Sequence, residues 1–255
     1  MSNPGPIVPA ERLRPALPAP ALREPAARVV GFVGGVGCGK STLVDAVAEH
    51  LYEHGDAAGR RSAPVIVDGD TVGHETRDQP DVIEQIVARF GDGVLAPDGT
   101  VDRQALGLRV FGQSADGQPL PAAEIDAEVG AESDPKANLQ ALEAIMHPAM
   151  RTEFEHRMAA APAGLVLFDA AILLEAGWDD LCHEIVFVDV DDATRQQRVT
   201  GRGWTVEQWQ ARERSQWPLD RKRAHATLHV TNGPPQPGPD EAAASLVALL
   251  DEPAG

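Results

Sequence analysis

Gly34-Gly35-Val36-Gly37-Cys38-Gly39-Lys40-Ser41 meets every fixed position of G-x-x-x-x-G-K-[ST], a spacing that builds a cradle for phosphate. The glycines let successive backbone N–H groups turn inward around an anion, and a helix opening at the lysine adds its positive end. Lys40 has the reach for the β- and γ-phosphates of a nucleotide, and Ser41 carries a hydroxyl for Mg²⁺. The candidates for ATP binding are Gly35, Val36, Gly37, Cys38, Gly39, Lys40, Ser41 and Thr42. No G-x-G-x-x-G pattern starts at Gly35 or Gly37, so a dinucleotide fingerprint is absent.

Two apolar runs end in acids. Val65-Ile66-Val67 is followed by Asp68-Gly69-Asp70, and Leu165-Val166-Leu167-Phe168 by Asp169. In an open α/β sheet such strand ends face the crevice where ligands bind. Asp70 is the candidate base for an attacking hydroxyl, with Asp68 beside it to orient the acceptor or hold a metal-bound water. Asp169 and Ser41 are the candidate magnesium positions. The bland alternative for Asp68 and Asp70 is a pair of loop-capping acids. Asp70-Thr71-Val72-Gly73 also fits D-x-x-G, but no N-K-x-D segment accompanies it, so a guanine-reading switch is not indicated. Thr194–Arg223 holds eight of the 22 basic residues, including Arg198, Arg202 and Arg212. Planar guanidinium forks on a helical flap suit the spread charge of a phosphoryl group in transfer, although i,i+4 ion pairs on a solvated face account for some of them. His147-Pro148 reads as a helix-end feature, and Arg151 one turn on suits an acidic ligand group.

These residues need a scaffold, and the hydrophobic pattern supplies one. Short apolar runs at Val29–Val33, Pro64–Val67, Gly164–Phe168, Glu184–Val190 and Leu228–Thr231 alternate with longer amphipathic stretches. The expected fold is a three-layer α/β/α phosphate-loop domain around a five-stranded parallel sheet. Helical patterns at Asp81–Phe90, Asp102–Phe111 and Leu139–Met158 fill the interval between the second and third strands, and Asp240–Leu250 reads as a closing helix. Residues 1–27 carry seven prolines and read as a disordered tail, whereas Gln113–Asp134, with six acids and no Lys or Arg, reads as a solvated insertion. The expected domains are a core of 28–79 and 160–255, with a flap at 194–223, and a helical region of 80–159. The net charge of −17 argues against a nucleic-acid binder. Two distant cysteines, Cys38 and Cys182, fit a reducing compartment. No apolar run nears the roughly 18 residues needed to span a bilayer, so a cytoplasmic protein without membrane contact is expected. Cys38, at a helix N-terminus, is a candidate for a lowered thiol pKa and oxidation, with an inert small side chain as the alternative.

Taken in order, the motifs resemble those of the dephospho-CoA kinase family from about Arg28 to Asn232. The phosphate loop is followed by Val67-Asp68-Gly69-Asp70 with His74-Glu75, similar to that family's "IDAD…HE". Phe90-Gly91, Asp98-Gly99-Thr100-Val101-Asp102-Arg103 and Val110-Phe111 come next. Leu142-Glu143-Ala144-Ile145-Met146-His147-Pro148 resembles "LEAILHP", and Ile172-Leu173-Leu174-Glu175-Ala176-Gly177 resembles "PLLFEAG". Arg212, Gln216, Lys222 and Asn232 follow the "R…Q…K…N" of its flap. Ala171 and Thr227 depart from the pattern, in place of a proline and an acid. The resemblance implies ATP-dependent phosphorylation of the ribose 3′-hydroxyl of dephospho-CoA with Mg²⁺, the last step of coenzyme A biosynthesis. It implies catalytic roles for Lys40, Asp70, Arg198, Arg202 and Arg212. It also implies acceptor contacts from Asp68, His74, Arg103, His147 and Arg151, a helical acceptor-binding region and a closing lid at 194–223, in a monomer or small homo-oligomer. The competing readings are another small-molecule or nucleoside monophosphate kinase, and an ATP-dependent regulatory switch.

Overall fold

A computed structural model describes residues 10–17, 27–55, 63–111, 134–162, 164–233 and 238–251. The chain divides into two compact units: Met1–Gly69 with Glu155–Gly255, and Asp70–Phe154.

The first unit is built on one sheet of six strands: β1 (Ala10–Arg12), β2 (Ala27–Gly34), β3 (Val65–Asp68), β4 (Gly164–Asp169), β5 (Glu184–Asp189) and β6 (Leu228–Thr231). The spatial order is β1-β6-β5-β2-β4-β3, with β2 to β6 all parallel. Strand β2 is central, and Val29, Val30, Phe32 and Val33 are buried on both of its faces. That explains an unbroken apolar run instead of alternation. One face carries Val30 and Phe32 against Leu43, Val44 and Val47 of α1 (Lys40–His54) and Ala243, Leu246 and Val247 of α9 (Pro239–Leu250). Three short helices, α6 (Asp192–Thr200), α7 (Val206–Arg214) and α8 (Leu219–His225), fill the stretch between β5 and β6. Thr227, where the family pattern has an acid, is buried, and its hydroxyl accepts from the Ile185 N–H at 2.9 Å.

The sheet corrects the expected strand count. The five parallel strands are present, and β1 adds a sixth, antiparallel to β6, from within the stretch read as a disordered tail. Three residues among prolines are too short to show a period, and what holds them is non-local. Arg12 Nη1 and Arg28 Nη2 meet the same oxygen of the buried Glu184, at 2.9 and 2.7 Å. Arg12 also donates to the Leu249 carbonyl, and Arg28 to that of Leu250. The rest of the tail reading, at 1–9 and 18–26, lies outside the described residues, as does the acidic insertion apart from Asp134.

The second unit contains most of α2 (Gly69–Arg77), then α3 (Pro80–Phe90), α4 (Arg103–Phe111) and most of α5 (Pro135–Ala160). Its own core is Val82, Ile86, Phe90, Val94, Val101, Leu106 and Val110, with Leu139, Leu142 and Ile145 of α5 packed on it. Asn138, buried, accepts from Arg89 at 2.7 Å and donates to the Arg109 carbonyl at 2.9 Å, joining α3, α4 and α5. Among the described residues no helix is long and apolar enough to cross a membrane.

Candidate active site

In the first unit the carboxyl edge of the sheet gathers the residues whose chemistry the sequence singles out. The chain leaves β2 at Gly34, crosses the loop and enters α1 at Lys40. Because β3 is reached only by crossing over β4, this is where connections diverge to opposite sides, the place ligands take in such sheets. Gly39, the residue before α1, has φ +79° and offers no side-chain cap, and the first turn holds no acid. The start of α1 thus carries neither a side-chain cap nor an acid of its own to compete with an anion. Asp68 and Asp169 end adjacent strands in direct register. Lys40 forms an ion pair with Asp169, which is 4% exposed. Ser41 and Thr42, in the first turn of α1, are exposed.

The loop is held from behind by the arginine-rich stretch. Arg198 donates to the carbonyls of Gly37, Cys38 and Asn232 at 3.5, 3.0 and 3.0 Å. Asn232 Nδ2 donates to those of Cys38 and Gly39, at 3.1 and 3.3 Å. Lys222, 1% exposed, donates to the Gly34 carbonyl at 3.3 Å, to Gln216 at 2.8 Å, and pairs with Glu175 at 3.1 Å. Glu175 in turn accepts from the Trp217 N–H at 2.7 Å. Arg195, 2% exposed, reaches the Val36 carbonyl at 3.2 Å, Asp192 at 2.7 Å and Glu213 at 2.7 Å. Burial pulls the Arg195 pKa down, but the two carboxylates outweigh it and raise it above the ordinary value.

The structure bears on three of the expectations here. Arg198, expected at the phosphates, is engaged with backbone carbonyls on the rear of the loop. Arg202 and Arg212 stand exposed. Cys38 is 2% exposed, and burial pushes its thiol up despite the lowering pull of Lys40, Arg195 and Lys222. The structure therefore favours an inert small side chain over a reactive thiolate. The glycines also serve packing as well as phosphate approach: a Cβ on Gly35 would lie 2.3 Å from Arg195 Nη1, and one on Gly37 (φ +86°) 2.7 Å from the Arg195 carbonyl. Sequence reasoning passed over Arg195, Trp209 and Glu213 as site residues. Only the Asp192-to-Arg195 spacing hinted at one of these contacts.

The second unit holds the other named residues. Asp70, in the first turn of α2, and His74, one turn on, are exposed, as is Arg103 at the start of α4. His147 and Arg151 lie on α5, which runs through Pro148 without ending there. Burial lowers the His147 pKa, against the opposing pull of Glu143. An open groove in this unit is lined by Gly93, Asp102, Gln104, Ala105, Leu108 and Arg109.

For magnesium, the described residues contain no cluster of three His, Cys, Asp or Glu side chains able to hold an ion. A hydroxyl at Ser41 and carboxylates at Asp169 and Asp68 still suit Mg²⁺, which is bound through one or two protein oxygens, waters and substrate phosphates.

Comparison with known proteins points to one family. The dephospho-CoA kinase family model matches residues 28–123 and 132–236. A dephospho-CoA kinase of Symbiobacterium thermophilum is 34% identical over 212 residues, covering 80% of this chain and 74% of the relative. That of Thermobifida fusca is 32% identical over 206 residues, covering 80% and 86%. The crystal structure of TT1252 from Thermus thermophilus superposes with a TM-score of 0.64 at 26% identity, covering 90% of this chain and 99% of that one. Dephospho-CoA kinase from Campylobacter jejuni, at 18% identity and a TM-score of 0.53, shares the fold.

Proposed function

Because the chain belongs to the dephospho-CoA kinase family, we propose that its loop cradles ATP while Asp70 takes the proton of the dephospho-CoA ribose 3′-hydroxyl. The 3′-oxygen forms a bond to the γ-phosphorus, the bond from that phosphorus to the β–γ bridging oxygen breaks, and ADP leaves. The protein does little covalent chemistry in such a transfer, so positioning and charge decide the rate. Lys40 and the α1 N–H groups take the β- and γ-phosphates, and Arg202 and Arg212, exposed, are the cations able to reach them. Arg198 serves the ATP side by holding the loop. Ser41 and Asp169 are the residues to hold Mg²⁺, which when bound neutralises charge on the phosphates. Asp68 orients the acceptor next to Asp70. His74, Arg103, His147 and Arg151 contact the acceptor, the helical region of 80–159 forms its binding domain, and Thr194–Arg223 forms the lid.

The observation that carries this reading is the Lys40–Asp169 pair at the carboxyl edge, in register with Asp68 and two residues upstream of Asp70. A general base contributes about 10²–10⁴-fold, so Asp70→Asn is expected to lower kcat by at least about 10² while MgATP binding is kept. ADP release is measured with dephospho-CoA, with AMP, with CMP and with no acceptor. Unchanged turnover in the variant removes Asp70 from the reaction. Phosphorylation of AMP or CMP in preference points to a nucleoside monophosphate kinase, and acceptor-independent hydrolysis to an ATP switch.

A further inference from the structure

Both backbone groups of Val36 are held by side chains far along the chain. Its carbonyl oxygen accepts from Arg195 Nη1 and from the Trp209 indole Nε1, each at 3.2 Å. Its N–H donates to Glu213 Oε1 at 2.5 Å. The three side chains also hold one another. Arg195 Nη1 lies 2.7 Å from the same Glu213 oxygen, and its guanidinium carbon lies 5.3 Å from the centre of the Trp209 ring. Arg195 and Trp209 are 2% and 7% exposed, so these bonds are shielded from water.

Val36 stands between Gly35 and Gly37, where the backbone has the most freedom to rotate. A loop that must aim several N–H groups at a triphosphate loses affinity to the extent that it samples other orientations first. The Val36 N–H lies in the Gly35–Val36 peptide and its carbonyl in the Val36–Gly37 peptide, so holding both fixes two successive peptide planes between the glycines and restricts that freedom. The empty Cβ space at Gly35 is where the Arg195 guanidinium lies, so loop and clamp are fitted to each other.

We propose that Arg195, Trp209 and Glu213 form a clamp that sets the two peptide planes flanking the Val36 Cα and preorganises the loop for ATP. They are positioning residues: they act on the nucleotide through the loop, and they tie α6 and α7 to its conformation. This rests on the loop being the ATP site, as proposed above.

The test measures MgATP binding to the full chain by calorimetry without any acceptor, and steady-state kinetics with dephospho-CoA separately. Glu213→Ala removes a charged acceptor, so the Kd and KM for ATP are expected to rise about tenfold or more. Trp209→Phe keeps a ring for Arg195 but loses the N–H, so Kd is expected to rise roughly two- to tenfold. In both variants kcat at saturating ATP and KM for dephospho-CoA stay within about threefold of the wild type, since uniform loss of binding leaves kcat alone. Glu213→Gln, which retains an acceptor for the Val36 N–H, recovers part of the lost affinity. An unchanged or lower Kd in Glu213→Ala overturns the clamp. So does a fall in binding stoichiometry and kcat with KM for ATP unaltered, the pattern of a merely structural role. A wild-type chain that binds MgATP but leaves dephospho-CoA untouched refutes the acceptor assignment, while the clamp is still judged by Kd. A wild-type chain that binds no MgATP refutes both.

Discussion

Replacing Gly37 by alanine joins two penalties that Gly203 and Gly35 carry separately. At φ +86° an L-residue costs roughly 1–2 kcal/mol more than glycine. The new methyl would also stand 2.7 Å from the Arg195 carbonyl oxygen and 2.9 Å from Val199 Cγ1. A backbone oxygen cannot swing aside without moving α6, so overpacking adds about 1–3 kcal/mol. The expected loss for Gly37→Ala is therefore about 2–5 kcal/mol. Gly203→Ala, at φ +89° with nothing within 4 Å of the added atom, carries only the conformational part, roughly 1–2 kcal/mol. Gly35→Ala carries only the packing part: its φ is not in the left-handed region, yet its Cβ would lie 2.3 Å from Arg195 Nη1. Urea unfolding of the three variants and the wild type, extrapolated to water without nucleotide, gives the differences directly. Gly37→Ala should be the most damaging, and its loss should approach the sum of the other two. Equal losses for Gly37→Ala and Gly203→Ala would refute the reasoning, because α6 would then lift off the loop at no cost and could not be holding it.

Three further outcomes follow from single contacts. Asp169→Asn should raise the Mg²⁺ concentration for half-maximal rate, or lower the rate, by about 10–100-fold, as loss of an outer-sphere carboxylate does. A Mg²⁺ titration at fixed ATP that is unchanged would remove Asp169 from the metal site. His183 Nδ1 accepts from the Val29 N–H at 2.9 Å, which requires that nitrogen unprotonated, and burial foremost lowers its pKa from 6.5. A depressed folded pKa means that the stability it contributes is full above pH 6.5 and lost as pH falls through the folded value. His183→Asn, which keeps an acceptor but takes up no proton, should flatten the fall in unfolding free energy over that interval, and an identical slope in both proteins would contradict the assignment. Glu184→Ala leaves Arg12 and Arg28 without their shared carboxylate and should cost on the order of 3 kcal/mol in denaturant unfolding. A loss below about 0.5 kcal/mol, the scale of an ordinary surface substitution, would mean that β1 is not anchored through Glu184.

What could be read from the chain divides by the range of the interaction. The phosphate loop, its flanking strand and helix, and the acids ending β3 and β4 are local patterns, and the structure places them together because the strands are parallel neighbours. Helix α3 was legible from Val82, Ile86 and Phe90 at helical spacing, all buried in the second unit. Helix α5 was legible in part: Leu139–Met158 reads as helical, but the helix end expected at His147-Pro148 is not there, because Pro148 lies within one continuous helix. β1 was not, because its three residues are fixed by a strand about 220 positions away and by Glu184. Arg195 was not, because a short polar helix shows no sign of which arginine turns inward. Its burial becomes intelligible only once Asp192, Glu213 and the Val36 carbonyl surround it.

That inward turn explains why three of the basic residues in Thr194–Arg223, Arg195, Arg198 and Lys222, face the loop in an otherwise acidic chain. A peptide that turns its N–H one way turns its carbonyl the other, so a loop shaped to bind an anion presents a row of carbonyl oxygens behind it. Those oxygens are shielded from water and need donors. Lys222 meets the carbonyl of Gly34, Arg195 and Trp209 that of Val36, Arg198 those of Gly37 and Cys38, and Asn232 those of Cys38 and Gly39. Cationic donors are stronger than neutral ones, and donation to a carbonyl polarises its own peptide, making the N–H on the far side a better partner for phosphate. Burying Arg195 and Lys222 is tolerable because Asp192, Glu213 and Glu175 pair with them locally. The net charge of −17 is then no obstacle to binding a polyanion, since what the nucleotide meets is set within a Debye length of the loop, about 8 Å at physiological salt.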